Sequence, residues 1–165
     1  MPAEHEVNVE VAEAFRGRAD AGLLREAAVC TLVSRRLRRP RALSVTVTDS
    51  AAVRRLNRRY LGVDEPTDVL AFETAFPGLR RPDGVTELGA IIVALPVAAR
   101  GARDRGVSIS DELALLVVHG TLHLLGYDHE TARADQAMRR MEGVALARMD
   151  RADAARDPTG HPYAT

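Results

Sequence analysis

The chain has 165 residues, of which 46% are hydrophobic, and its 23 basic residues balance its 23 acidic ones. This length and composition fit one globular domain with a proper core. No segment approaches about 18 uninterrupted apolar residues, so the sequence predicts no membrane span. The N-terminus lacks the basic and apolar regions of a signal peptide, and Cys30 is the single cysteine. We therefore expect a cytoplasmic protein without an internal disulfide.

The basic residues are unevenly distributed along the chain. All of them are arginine, and twelve fall between Arg16 and Arg59, where only three acids occur. Zero net charge argues against a strongly basic nucleic-acid-binding protein. The basic N-terminal half can nevertheless carry a phosphate-binding face, because guanidinium binds phosphate through two N–H groups. The alternative interpretation is that these arginines are solvated helix faces.

Hydrophobic periodicity and capping residues predict alternating strands and helices. Asp20 and Asp49 are placed to cap the helices that follow them, and Ser108 with Asp111 matches a capping box. The predicted strands cover residues 5–11, 43–48, 69–73 and 88–95. The predicted helices cover about 21–37, 51–60, 96–105, 109–125 and 130–149. In the last helix, the residues expected to face the core are Met138, Met141, Val144 and Leu146.

Three of the five histidines lie in one segment, HGTLHLLGYDH, from His119 to His129. The first two are four residues apart and share a helix face, and Gly126 offers the break that returns His129 to them. The segment Leu113 to Leu125 is apolar almost all the way round and predicts a buried helix. The two imidazoles on this helix need partners, because an unpaired buried polar group costs about 1–3 kcal/mol. Three neutral imidazoles suit zinc, and a fourth position open to water is typical of a catalytic site.

We therefore predict one Zn²⁺ per chain, bound by His119, His123 and His129, which act in catalysis through a metal-bound water. The alternative is that His119 and His123 are core histidines paired with backbone or carboxylates, and that His129 is a surface loop residue. His5 and His161 lie near the two ends of the chain and are expected to be exposed rather than ligands.

The order of elements predicts an α+β or α/β fold. Our prediction is a single small α+β domain with a mixed sheet of about four strands packed with helices. The metal site lies on a central helix and the following loop. The domain is expected to cover residues 1–150, and residues 151–165 are expected to form a flexible C-terminal tail.

The histidine segment, together with NRRYLGVDEPTDVLAF (57–72) and ELGAIIV (87–93), resembles the YbeY endoribonuclease or rRNA maturation factor family. The resemblance runs in order over about residues 7–149. It implies a cytoplasmic, zinc-binding α+β protein that cleaves single-stranded RNA and matures the 16S rRNA 3′ end, with the small ribosomal subunit as partner. The family's three ligand histidines correspond to His119, His123 and His129.

The sequence departs from the family pattern at three positions. Leu61 stands where the family often has an arginine implicated in RNA cleavage, and we predict that Arg58 or Arg59 binds the RNA instead. Ala90 replaces the usual aspartate of the ELGAIIV segment, and Ala71 replaces a serine. These departures leave open a non-enzymatic ribosome assembly factor with a structural zinc.

A second alternative is a metzincin-like metalloprotease, because H-x3-H-x2-G-x2-H repeats the spacing of that zinc site. Proteases of this type carry a glutamate directly after the first histidine as general base, and here that position is Gly120. Peptide hydrolysis then needs another carboxylate near the metal. Glu87, Glu112 and Asp128 are the candidates, provided that the fold brings one of them close.

Overall fold

The computed structural model describes residues 3–151 and 154–156. The strands are β1 (Glu6–Val11), β2 (Arg41–Thr48), β3 (Val69–Glu73) and β4 (Thr86–Ala94). The helices are α1 (Ala21–Ser34), α2 (Ser50–Leu61), α3 (Leu95–Arg105), α4 (Ile109–Leu124) and α5 (Ala132–Arg148). Every predicted strand and helix is present, with ends that differ from the prediction by a few residues at most.

The four strands form one mixed sheet in the order β1-β2-β4-β3. Strands β1, β2 and β4 are parallel, and β3 pairs antiparallel with β4 at one edge. Parallel strands need crossover connections, and α1 makes that connection between β1 and β2. The prediction of an α+β domain with a four-stranded mixed sheet is confirmed.

The larger of two hydrophobic cores lies between the sheet and the helices α1, α4 and α5. Helix α4 is central to this core, and eleven of its residues are buried, as the nearly uniform apolar sequence predicts. The smaller core joins α2 to β3 and β4 through Val53, Leu70 and Ala94. Helices therefore cover the sheet on both faces, and α4 is held from several sides.

The predicted helix caps explain where α1, α2 and α4 begin. The Asp20 carboxylate accepts hydrogen bonds from the Gly22 and Leu23 amides, and Asp49 accepts one from Ala52. The Ser108 hydroxyl accepts from the Asp111 amide at 3.0 Å. The Asp111 carboxylate, which a capping box would turn back to the helix start, instead accepts from Arg151 at 2.6 Å.

Helices α3 and α4 follow one another with a sharp change of direction. Gly106 ends α3 with a φ of 67°, and Ser108 caps α4. Within the described residues no single helix is long and apolar enough to cross a membrane. The α3–α4 pair meets that test by length and composition only, and it is bent by 112°.

One predicted core position of α5 is wrong. Val144 is 49% exposed, whereas Met138 and Leu146 are fully buried and Met141 is partly buried. The buried stripe of α5 includes residue 142, which is a glutamate, so a pattern read from apolar residues alone assigned Val144 to the wrong face.

The chain after α5 contacts the domain wherever it is described. Arg151 forms an ion pair with Asp111, Ala154 is fully buried, and Arg156 forms an ion pair with Glu142. The remaining residues of the predicted tail, and His161 among them, lie outside the described residues. His5 is partly buried, and its Nδ1 accepts a hydrogen bond from the Arg41 amide at 3.1 Å.

Gly120 lets α4 approach the sheet closely. A Cβ atom at this position would lie 2.9 Å from Cγ2 of Ile91, which is fully buried on β4. This is closer than two carbon atoms approach without displacement, so the helix rests on Ile91 through the glycine backbone. The contact fixes the height of α4 above the sheet, and with it the position of His119 and His123.

We expect Gly120→Ala to lower the free energy of unfolding. Overpacking costs about 1–3 kcal/mol, and the gain in helix propensity returns at most about 1 kcal/mol. The matched control is Gly143→Ala on α5, where an added Cβ meets no atom within 4 Å. That variant should be as stable as the parent or slightly more so. Equal urea midpoints for the two variants would contradict the close contact.

Candidate metal centre

The three histidines of the HGTLHLLGYDH segment converge in the folded chain. His119 and His123 project from one face of α4, a single turn apart, and His129 lies in the loop that follows. One ring nitrogen from each comes within 4.8 Å of the others. The ring centroids are separated by 4.7 Å (119–123), 5.2 Å (123–129) and 5.8 Å (119–129).

The turn after α4 reverses the chain and places the His129 ring beside the rings of His119 and His123. Gly126 adopts a φ of +99° and its amide donates to the His123 carbonyl, while the Tyr127 amide donates to the Leu122 carbonyl. This is the Schellman pattern, in which a residue with positive φ, usually glycine, reverses the chain. The ring of Tyr127 packs against the main core and anchors the returning loop.

A fully buried carboxylate orients His119. The Glu142 side chain on α5 lies 2.8 Å from His119 Nδ1. An ionised carboxylate can only accept a hydrogen bond, so this contact favours the tautomer with the proton on Nδ1 and leaves Nε2 as the nitrogen that can bind a metal. Arg156 donates a hydrogen bond to each carboxylate oxygen of Glu142, at 2.8 and 2.6 Å. Burial raises the pKa of Glu142, but the hydrogen bonds from His119 and Arg156 outweigh it and hold the pKa below its usual range.

The electrostatic surroundings favour a neutral His123. Partial burial is the main effect that lowers the pKa of this imidazole, and the neighbouring His119 and His129 lower it further. A metal binds only the unprotonated imidazole. His123 is therefore in the form that a metal requires at neutral pH.

Two open cavities flank the histidines. The first, of about 380 Å³, is lined by all three histidines and by residues of the β3 segment, and we call it the histidine cleft. The second, of about 580 Å³, reaches His119 and His129 from the side of Arg105, Glu112 and Arg139. Asp68 lines both cavities. A substrate can thus reach the three rings from solvent.

The other residues singled out in the sequence lie in different places. Leu61 and Ala71 line the histidine cleft, whereas Ala90 lies within β4, opposite Phe72. Arg58 and Arg59 line neither of the cavities beside the histidines. Arg58 lies in a separate groove, and the Arg59 guanidinium lies 5.3 Å from the ring centroid of the exposed Tyr60. Their predicted contact with RNA stays a prediction.

The candidate carboxylates differ in their access to the site. Glu112 lines the second cavity, but its side chain is paired with Arg105 at 2.5 Å. Glu87 is paired with Arg81 and lines other cavities. The exposed Asp128 accepts a hydrogen bond from the Glu130 amide. Of these three, Glu112 alone lines a cavity beside the histidines.

Comparison with known proteins agrees with this geometry. A family model described as endoribonuclease YbeY matches residues 10–150. The chain belongs to this family. Endoribonuclease YbeY of a Roseiflexus species is 41% identical over 140 residues, which cover 82% of this chain and 86% of that protein. The YbeY protein of Alkalilimnicola ehrlichii is 50% identical over 115 residues, covering 69% and 68% respectively. The resemblance stated from the motifs is confirmed.

A solved structure has a similar overall fold. The solution structure of a protein from Thermotoga maritima superposes with a TM-score of 0.52 at 20% identity. The match covers 94% of this chain and 99% of that one. At this identity the likeness concerns the fold alone.

Sequence reasoning missed the two residues that support His119. Glu142 lies 23 residues after His119 and Arg156 lies 37 residues after it. Neither belongs to a short motif, and helix periodicity treats a glutamate as a surface residue. The one available signal is that residues 138, 142 and 145 share a single face of α5, which puts the glutamate on the buried stripe.

Proposed function

We propose that this YbeY-family chain is a zinc-dependent, single-strand-specific endoribonuclease that matures the 16S rRNA 3′ end in ribosome biogenesis. The observation that carries the proposal is the convergence of three imidazoles at an open cleft, with a buried carboxylate behind one of them. Family membership supplies the substrate class. The small ribosomal subunit as partner and the cytoplasm as location are proposals that rest on the sequence resemblance.

The donor set fits zinc. All three donors are imidazoles, the pKa of His123 is lowered, and Glu142 leaves Nε2 of His119 free to bind. His119, His123 and His129 would hold the ion. Zinc in such a site supplies Lewis acidity that lowers the pKa of water to about 7.

Of the described acids, Asp68 and the exposed Glu73 line the histidine cleft, and we assign Asp68 the role of accepting a proton in the reaction. It lines both cavities beside the histidines, is partly buried, and belongs to the segment just before β3. Among the acids of the second cavity, Glu112 and Asp135 are paired with arginines. We expect Asp68→Asn to keep zinc and to lose RNA cleavage, and cleavage at the wild-type rate would remove Asp68 from this role.

An exposed aromatic side chain next in sequence to a residue of the histidine cleft offers a stacking surface to a nucleotide base. Tyr60 is 58% exposed and packs edge-on against Phe72 at 5.5 Å between ring centroids. The next residue, Leu61, lines the cleft itself. Unpaired bases stack on such rings, whereas bases in a duplex are not available to them. This arrangement supports a preference for single-stranded RNA.

The structure argues against the protease alternative. A metzincin-type glutamate would occupy position 120, where even a Cβ atom collides with Ile91. The Gly120 backbone lines the histidine cleft, but position 120 has no room for a glutamate side chain beside Ile91. A structural zinc is also disfavoured, because structural sites are closed by four protein ligands. The metal-binding group found among the described residues has three members and lies at an open cleft.

The test compares substrates before and after metal removal. The purified full chain is incubated with single-stranded RNA, duplex RNA and an unfolded protein substrate, then treated with a chelator and reloaded with zinc. We expect cleavage of single-stranded RNA alone, its loss on chelation and its return with zinc. Peptide cleavage would support the protease alternative. Zinc binding with ribosome association but without cleavage would support the assembly-factor alternative.

A further inference from the structure

A wide groove lined by arginines lies between α2 and α3, apart from the cavities beside the histidines. It has a volume of about 900 Å³, and we call it the arginine groove. Six guanidinium side chains line it: Arg18, Arg54, Arg55, Arg58, Arg100 and Arg103. We propose that this groove is a second RNA-binding site, which holds the phosphate backbone of the strand whose scissile bond lies at the histidines.

The positive charge of the arginine groove is largely uncompensated. Among the residues that the structure describes, Asp64 is the single acid in its lining, and it is paired with Arg54 through contacts of 2.8 and 3.3 Å. Within residues 3–151 and 154–156, no ion pair engages Arg55, Arg58, Arg100 or Arg103. Guanidinium groups in this state attract an external anion and pair with phosphate through two N–H groups.

The spacing of these arginines concentrates charge on two helix faces. Arg54 and Arg58 are four residues apart on α2, and Arg100 and Arg103 are three apart on α3, so each pair shares a face. Like charges at these spacings destabilise an isolated helix. An anionic backbone lying between α2 and α3 would relieve both repulsions together.

The arginine groove and the histidine cleft meet at the segment between α2 and β3. Asp64 and Pro66 line the groove, and the next residue, Thr67, lines the cleft. Helix α2 repeats the pattern, because Arg58 lines the groove and Leu61, one turn later, lines the cleft. A single strand can therefore pass from the groove over this segment to the histidines, with the exposed Tyr60 beside its path.

This inference rests on the proposed function, which places an RNA phosphodiester at the histidines. A polyanion with regularly spaced charges fits six guanidinium groups better than a protein segment with scattered acids does. Most of the binding free energy would come from phosphate contacts, so the arginine groove would add affinity with little sequence preference.

The test neutralises three arginines of the groove that form no ion pair with any described residue. The variant R55Q/R100Q/R103Q is compared with R36Q/R38Q/R39Q, which removes the same charge from exposed residues that line neither the groove nor the cavities beside the histidines. Binding of a single-stranded RNA of about 20 nucleotides to the full chain is measured by fluorescence anisotropy at several salt concentrations. A chelator prevents cleavage. Thermal unfolding of both variants is recorded beside the wild type.

We expect the groove variant to bind the RNA about tenfold more weakly, and the slope of log affinity against log salt to fall by about 2, since each phosphate contact contributes about 0.7. The control variant should bind like the wild type. With zinc present, both should cleave a trinucleotide, too short to occupy both sites, at the wild-type rate.

Equal RNA affinity of the two variants, or no RNA binding by the wild type, would overturn the proposal that the arginine groove binds RNA. If the groove variant binds RNA more weakly but neither the wild type nor any variant cleaves it, the groove proposal stands and the proposed nuclease activity is wrong.

Discussion

The His119→Ala variant is expected to lose both its metal and its RNA cleavage. His119 supplies one of three converging nitrogens, and its orientation is fixed by Glu142. Removal of a residue that only supports a ligand costs about 10–100-fold in metal affinity or activity. Loss of the ligand itself should therefore lower cleavage by at least about 100-fold. Elemental analysis and an RNA cleavage assay on the same preparation measure the two effects.

His5→Ala is the matched control for this experiment. His5 is partly buried in the same domain and hydrogen-bonds to the Arg41 amide, but it is not part of the histidine group. This variant should keep wild-type zinc content and cleavage rate, with at most a small loss of stability. Wild-type metal content in His119→Ala would mean that the three histidines are core residues rather than ligands.

Glu142→Ala is expected to lower both the free energy of unfolding and the zinc affinity. The glutamate is fully buried and accepts hydrogen bonds from His119 and Arg156. Breaking a buried charged network by removing one partner costs about 3–5 kcal/mol. Without the carboxylate, His119 is no longer held with Nε2 towards the other rings, and zinc affinity should fall about 10–100-fold. Urea unfolding and competition with a zinc indicator measure the two losses.

Glu142→Gln separates the geometry of this residue from its charge. Glutamine has nearly the same volume and keeps one oxygen to accept from His119 Nδ1, but it cannot balance Arg156. We expect an intermediate loss in stability and a smaller loss in zinc affinity than in Glu142→Ala. If Glu142→Ala matches the wild type in zinc affinity, the carboxylate does not orient His119.

The local features of this fold could be predicted because they depend on neighbouring residues. Asp20, Asp49 and Ser108 start the helices that they were expected to start. The three histidines converge because helix spacing aligns two of them and Gly126 reverses the chain within a few residues. Each of these outcomes follows from backbone geometry within one or two helical turns.

The supporting residues could not be predicted, because they depend on how helices pack. Glu142 reaches His119 only because α5 lies beside α4, and Val144 was misplaced because that packing turns residue 142 inwards. A charged residue on a buried stripe gives no hydrophobic signal. Burial of this carboxylate is explained by the hydrogen bonds from His119 and Arg156, which are visible only in the folded structure.

The arginine groove also depends on helix packing that the sequence pattern does not reveal. The excess of arginine before residue 60 is visible in the sequence, which left two interpretations open, a phosphate-binding face and solvated helix faces. Arg100 and Arg103 lie more than 40 positions beyond Arg58, and they join the groove only because α3 packs beside α2. The sheet order, in which β4 pairs with both β2 and β3, places these helices together.

A zinc titration of the metal-free protein, with zinc occupancy and cleavage of single-stranded RNA followed in the same samples, tests whether the three histidines hold a catalytic metal. We predict that both rise together and saturate at one zinc per chain, as three histidine ligands at a single site require. Cleavage that is already complete without metal, or zinc that binds at this stoichiometry without any gain in cleavage, would contradict a catalytic metal held by His119, His123 and His129.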